Sequence, residues 1–235
     1  MHIRIGNFID LSLIDVLGYP SAVIFFSGCN FNCPWCHNRE ILDKGYLIPV
    51  ENIIKRIKNN YLIDYVQVSG GEPTLQREGL VHLFRNLKEI GLNTSLNTNG
   101  SNPQVITDLL SNELIDHIAM DIKFPLEYDF PFEKIIGIED KKVIKNISKT
   151  LEFLSDFGSV EIRTTLVPEL SDEDIFKICD YLNSVSTDFI YVLQQCITDQ
   201  YITPLNRLKQ ISKEIKNKYS FKKVLLRAQY SCFEV

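Results

Sequence analysis

The chain has 235 residues, 45% hydrophobic and 23% charged, a composition that suits an ordered globular protein with a substantial core. Its net charge of −5 gives no electrostatic basis for tight nucleic-acid binding, which needs a clustered basic surface to neutralise phosphates. The start carries no secretion-type segment and no apolar run approaches the ~20 residues of a membrane span, so a cytoplasmic protein is expected.

Residues 1–21 place Ile3, Ile5, Phe8 and Ile9 among polar residues and read as an extended arm or hairpin preceding a single domain over 22–235. From there, β-branched and aromatic runs at 22–27, 65–69, 94–98, 117–123, 160–167 and 189–194 alternate with helical patterns. Most of these runs are near-continuously apolar, as strands covered on both faces should be. Leu80, Phe84, Leu87 and Ile90 predict a core-facing helix that Gly91 terminates, and Val143, Ile147, Leu151, Leu154 and Phe157 predict another. Ser171 with Asp174 resembles a capping box ahead of Ile175, Ile178 and Leu182, and Thr203-Pro204 opens a last helix. Residues 223–228 could add a further strand. Six βα units fit either a partial barrel or an open doubly wound sheet.

Six cysteines are present, and Cys29, Cys33 and Cys36 fall within eight residues directly after the first predicted strand of the βα series. The carboxyl end of a strand is where α/β folds assemble their sites. Three thiolates there can hold three irons of a cubane and leave the fourth iron open to a substrate. Structural zinc is a second reading, although His37, adjacent to Cys36, is awkwardly placed for a joint tetrahedral site; a dithiol pair made by Cys33-Pro-Trp-Cys36 is a third. Cys179, Cys196 and Cys232 are scattered and do not form a secreted disulfide framework.

The spacing Cys29-x3-Cys33-x2-Cys36, with Trp35 before the third cysteine, resembles the radical S-adenosylmethionine (SAM) superfamily. Gly70-Gly71-Glu72-Pro73, directly after the second strand of the series, is similar to that family's glycine-rich stretch for the SAM amino group. Glycines there allow close backbone approach, and Glu72 supplies an anion. Ser12 to Gly18, Gly28 to Asn38, Gly70 to Thr74, Asn97-Thr-Asn-Gly100 and Met120-Asp-Ile-Lys123 resemble, more closely, the glycyl-radical-enzyme activating enzymes in their short form.

That resemblance implies a partial (β/α)6 barrel with a short N-terminal extension, a 4Fe-4S cluster on Cys29, Cys33 and Cys36, and SAM cleaved to methionine and a 5′-deoxyadenosyl radical. The radical would take the α-hydrogen of a glycine in a partner glycyl radical enzyme. It further implies that Trp35, Cys36 and His37 touch the adenine end of SAM, that Gly70, Gly71 and Glu72 take its amino group, and that Asn97, Asp121, Lys123 and Arg163 lie nearby. Lys123 can equally be a strand-end lysine in water, and Arg163 a partner of Asp121 or Glu161. Asn97 stands where some activases carry an aspartate that helps hold a cation. No histidine follows His117, so Gln194 and Gln195 are the candidates for the late SAM contact that others make with histidine. With no dinucleotide fingerprint and no second cysteine group, the electron is expected from a flavodoxin or ferredoxin. A radical SAM enzyme acting on a small molecule, a peptide or tRNA is the alternative from the same superfamily, because the SAM machinery is shared and the substrate is not.

Overall fold

The computed structural model describes residues 1–127, 129–229 and 231–235. Its contacts group into two compact units: 1–30, 38–98 and 102–118 in the first, and 31–37, 99–101 and 119–235 in the second.

In the first unit the chain enters on β1 (His2–Val16), which turns at Gly18 and pairs antiparallel with β2 (Tyr19–Phe26). After a loop come α1 (Arg39–Asp43), β3 (Tyr46–Pro49) and α2 (Val50–Lys58). β3 was not apparent in the sequence; it is four residues long, ends in Pro49 and pairs with the start of β1. β4 (Tyr65–Gly70) lies parallel to β2 with Val23 opposite Gln67, and β5 (Asn93–Thr98) lies parallel to β4. A 3-10 turn (Pro73–Gln76) leads into α3 (Arg77–Glu89), and α4 (Pro103–Ser111) follows β5. The strand order here is β3-β1-β2-β4-β5. α3 buries Leu80, Leu83, Phe84 and Leu87 and ends where predicted: Gly91 adopts φ +82°, and Leu92 N donates to Leu87 O at 3.1 Å. Each such apolar side chain contributes ~1.5–3 kcal/mol by leaving water.

β6 (His117–Asp121) runs from the first unit into the second. There follow α5 (Glu133–Ile136), α6 (Lys142–Leu154), β7 (Val160–Leu166), α7 (Asp172–Val185), β8 (Ile190–Gln195), α8 (Leu205–Lys218), β9 (Lys223–Ala228) and β10 (Ser231–Glu234). The order is β6-β7-β8-β9-β10, with β7, β8 and β9 parallel and β10 folding back antiparallel on β9. α6 buries Val143, Ile147, Leu151 and Leu154, whereas Phe157 lies past its end in a turn closed by Phe157 N to Leu154 O. The capping box opens α7: Asp174 N donates to Ser171 Oγ at 3.2 Å, and Ser171 N donates to Asp174 Oδ2 at 2.9 Å. Every residue of β7 is buried, Glu161 and Arg163 included, so this strand is covered on both faces without being apolar throughout.

Candidate active site

In the first unit the loop that begins with Cys29 is fastened to the end of β4. Gly70 sits at φ +114°, a conformation open mainly to glycine, and a Cβ built there would lie 2.3 Å from Phe26 O. A Cβ on Gly71 would lie 1.9 Å from Gly28 O. The two glycines thus let β4 close onto the end of β2, where Gly71 N donates to Phe26 O at 2.9 Å and Glu72 N to Gly28 O at 2.8 Å. Asn38, at the far end of the cysteine loop, donates from Nδ2 to Gly70 O at 2.9 Å. Both ends of that loop therefore bond to the Gly70-Gly71-Glu72 turn.

Glu72 is fully buried. Its Oε1 accepts from Thr74 N at 3.1 Å, Thr74 Oγ1 at 2.5 Å and Thr98 Oγ1 at 2.8 Å. A buried carboxylate is tolerated when donors of this kind satisfy it. Asn97, next to Thr98, donates from Nδ2 to Ser69 Oγ at 3.0 Å, while its Oδ1 is buried with no hydrogen-bond partner.

In the second unit, residues 31–37 rest on the segment around α5. Asn32 N donates to Ile136 O at 2.8 Å, and Trp35 Nε1 donates to Ile135 O at 3.0 Å. Cys36 N closes a turn onto Cys33 O at 3.2 Å. Lys123 is not a solvated strand-end lysine: its ammonium binds Asp121 Oδ2 at 2.7 Å and stands 4.9 Å from the centre of the Trp35 ring. Burial pushes the Cys33 thiol up; the Lys123 ammonium opposes that, and Cys36 and Asp121 reinforce it.

Arg163 pairs with Glu161, one of the two acids the sequence offered it, and Arg227 Nη2 reaches the same Oε1 at 3.0 Å. Thr165, Gln194 and Arg227 sit side by side across β7, β8 and β9. Gln194 accepts from Arg227 Nη1 at 3.3 Å and donates to Thr165 Oγ1 at 3.2 Å, whereas Gln195 Nε2 donates to Thr203 O at 2.8 Å. His37, Thr165, Gln194, Gln195, Arg227 and Gln229 line a cavity of about 400 Å³ in this unit. Arg227 has little signal in the sequence beyond being a lone arginine after Val224-Leu-Leu. Thr98 and Thr74, the partners of Glu72, lie inside the motifs that the sequence marks without being marked themselves.

None of the six cysteines is in a disulfide. Among the described residues no three His, Cys, Asp or Glu side chains gather as they would around one ion. In a cubane each thiolate takes its own iron, so three thiols on one eight-residue stretch are a donor set of the kind such a cluster needs.

This fold and this site define a class, and comparison with known proteins assigns it: residues 23–182 match the Radical SAM superfamily model, and the chain belongs to that superfamily. It is accordingly an enzyme of the kind that uses SAM and a 4Fe-4S cluster. A Methanocaldococcus jannaschii protein named "putative glycyl-radical enzyme activating enzyme" is 38% identical over 83% of this chain and 80% of its own. The pyruvate formate-lyase 1-activating enzyme of Escherichia coli K12 is 32% identical over 73% of this chain and 70% of its own. Among solved structures, a radical SAM methyltransferase from Sphaerobacter thermophilus superposes with a TM-score of 0.65 at 14% identity, covering 90% of this chain and 67% of that one. At that identity the likeness concerns the fold, an α/β architecture with an open sheet. Among the described residues no helix is long and apolar enough to cross a membrane.

Proposed function

We propose that this protein is a glycyl-radical-enzyme activase. The observation that carries the reading is the fastening of both ends of the cysteine loop to the Gly70-Gly71-Glu72 turn, in a chain whose relatives over most of its length are named as activases. Cys29, Cys33 and Cys36 would each hold one iron of the cluster and leave the fourth open. When bound and reduced, the cluster would supply the electron that splits SAM into methionine and a 5′-deoxyadenosyl radical, the species that removes a glycine α-hydrogen. Gly70 and Gly71 bring backbone close to the methionine end of SAM, and Glu72 takes its amino group. Trp35, Cys36 and His37 contact its adenine, while Asn97, Asp121, Lys123 and Arg163 complete its contacts. Lys123, held by Asp121 and Trp35, offers a fixed ammonium to an anionic group of the ligand.

Residues 22–235 act in this reading as one catalytic domain with 1–21 appended, in the cytoplasm, and the electron comes from a flavodoxin or ferredoxin. The test is isotopic. A glycyl radical enzyme labelled with α-deuterated glycine is mixed anaerobically with reconstituted protein, SAM and dithionite. Deuterium in 5′-deoxyadenosine together with a protein radical signal supports the activase. Cleavage of SAM without deuterium transfer from any glycyl radical enzyme offered would turn the reading toward a small-molecule, peptide or tRNA substrate.

A further inference from the structure

The hydroxyls around Glu72 form a directed set. Thr74 Oγ1 accepts from Asn102 Nδ2 at 2.7 Å, so its single proton is turned toward Glu72 Oε1 at 2.5 Å. Thr98 Oγ1, at the last residue of β5, lies 2.8 Å from the same oxygen, and the Thr74 amide adds a third bond at 3.1 Å. Glu72, Thr74 and Thr98 are all buried, and Asn102 stands at the cap of α4. One carboxylate is thereby held from β5, from the start of α4 and from its own turn. A glutamate has several soft torsions, and donors that fix them beforehand remove part of the ordering cost that a ligand would otherwise meet.

We infer that Thr98 and Thr74 are positioning residues that orient Glu72 for the α-amino group of SAM. The inference rests on the reading of Glu72 as the acceptor of that ammonium. It gives the Asn97-Thr98-Asn99-Gly100 motif a role in SAM recognition that passes through Thr98, with no direct contact between the threonine and the ligand.

The experiment is anaerobic calorimetric titration of the reconstituted holoenzyme with two ligands: SAM, and the analogue in which hydrogen replaces the α-amino group. Glu72→Gln tests the underlying reading: it should weaken SAM and leave the analogue alone, and an equal effect on both would remove Glu72 from amino-group recognition. Thr98→Val, which deletes one donor at nearly constant volume, should raise the Kd of SAM about tenfold and that of the analogue by less than about twofold. Thr98→Ser should restore the wild-type value. If Thr98→Val does not load iron to the wild-type level, Thr74→Val is read by the same two titrations. The inference is overturned if Glu72→Gln discriminates between the ligands while the threonine variant does not, or if that variant weakens both ligands alike.

Discussion

Replacing Gly71 with alanine should damage the protein at a single identifiable contact. The added Cβ would meet Gly28 O at 1.9 Å, and to reach even 3.0 Å, below which real Cβ contacts are essentially never found, the two must separate by 1.1 Å. The neighbour is backbone, and it is held by the bond from Glu72 N at 2.8 Å, so movement costs that bond as well. Overpacking of this kind costs ~1–3 kcal/mol and the lost bond about 1 more, for a total of about 2–4 kcal/mol. With a urea slope of ~2–3 kcal/mol per molar, the unfolding midpoint should fall by about 1 M. Cys29 follows Gly28 directly, so the same shift displaces a thiol and should lower iron uptake on reconstitution. Gly158→Ala is the control, because its Cβ meets nothing within 4 Å and no left-handed backbone angle is involved. It should stay within about 0.5 kcal/mol of wild type. Equal midpoints and equal iron content for the two variants would show that the Gly71–Gly28 contact is not what constrains position 71.

Cys29→Ala, Cys33→Ala or Cys36→Ala should each abolish SAM cleavage, whereas Cys179→Ala, Cys196→Ala and Cys232→Ala should not; chromatography of 5′-deoxyadenosine reads the outcome, and lost cleavage in the second group would contradict the ligand assignment. Burial pushes the Cys179 thiol up to about 12 and the Cys196 thiol up to about 11. Thiolate is the reactive form and is favoured only above those values, so at pH 8 iodoacetamide should spare both residues in the folded protein and modify them after unfolding, as mass spectrometry would show. Glu161→Gln leaves Arg163 and Arg227 without the carboxylate they share and should cost about 3 kcal/mol of stability by urea unfolding, part of which Arg227→Met should recover. Ser171→Ala removes the cap of α7 and should cost about 1 kcal/mol by the same measurement.

The strands of the βα series were legible because runs such as Val160–Leu166 are rich in β-branched residues and covered on both faces. The helix ends at Gly91 and Ser171 were legible because caps are local chemistry, decided within four residues. β3 escaped because four residues ending in proline carry no period, and it becomes a strand only by pairing with the start of β1, more than forty residues earlier in the chain. The burial of Glu161 and Arg163 depends in the same way on Arg227, which belongs to β9. In the site, the cysteines and the two glycines were legible from spacing, since only particular residue types meet those geometric demands. Thr98 as a partner of Glu72 was not, because its approach is settled by the register of β5 beside β4 and not by sequence distance, whereas Thr74 is a local cap bond two residues on.

Reductive cleavage of SAM should depend on Cys29, Cys33 and Cys36. The direct measurement is 5′-deoxyadenosine released by the anaerobically reconstituted protein with dithionite and SAM, wild type beside the three single alanine variants. Product is expected from the wild type alone. An intact 4Fe-4S signal in the wild type with no 5′-deoxyadenosine, with and without a glycyl radical enzyme present, or product from any of the three variants, would contradict it.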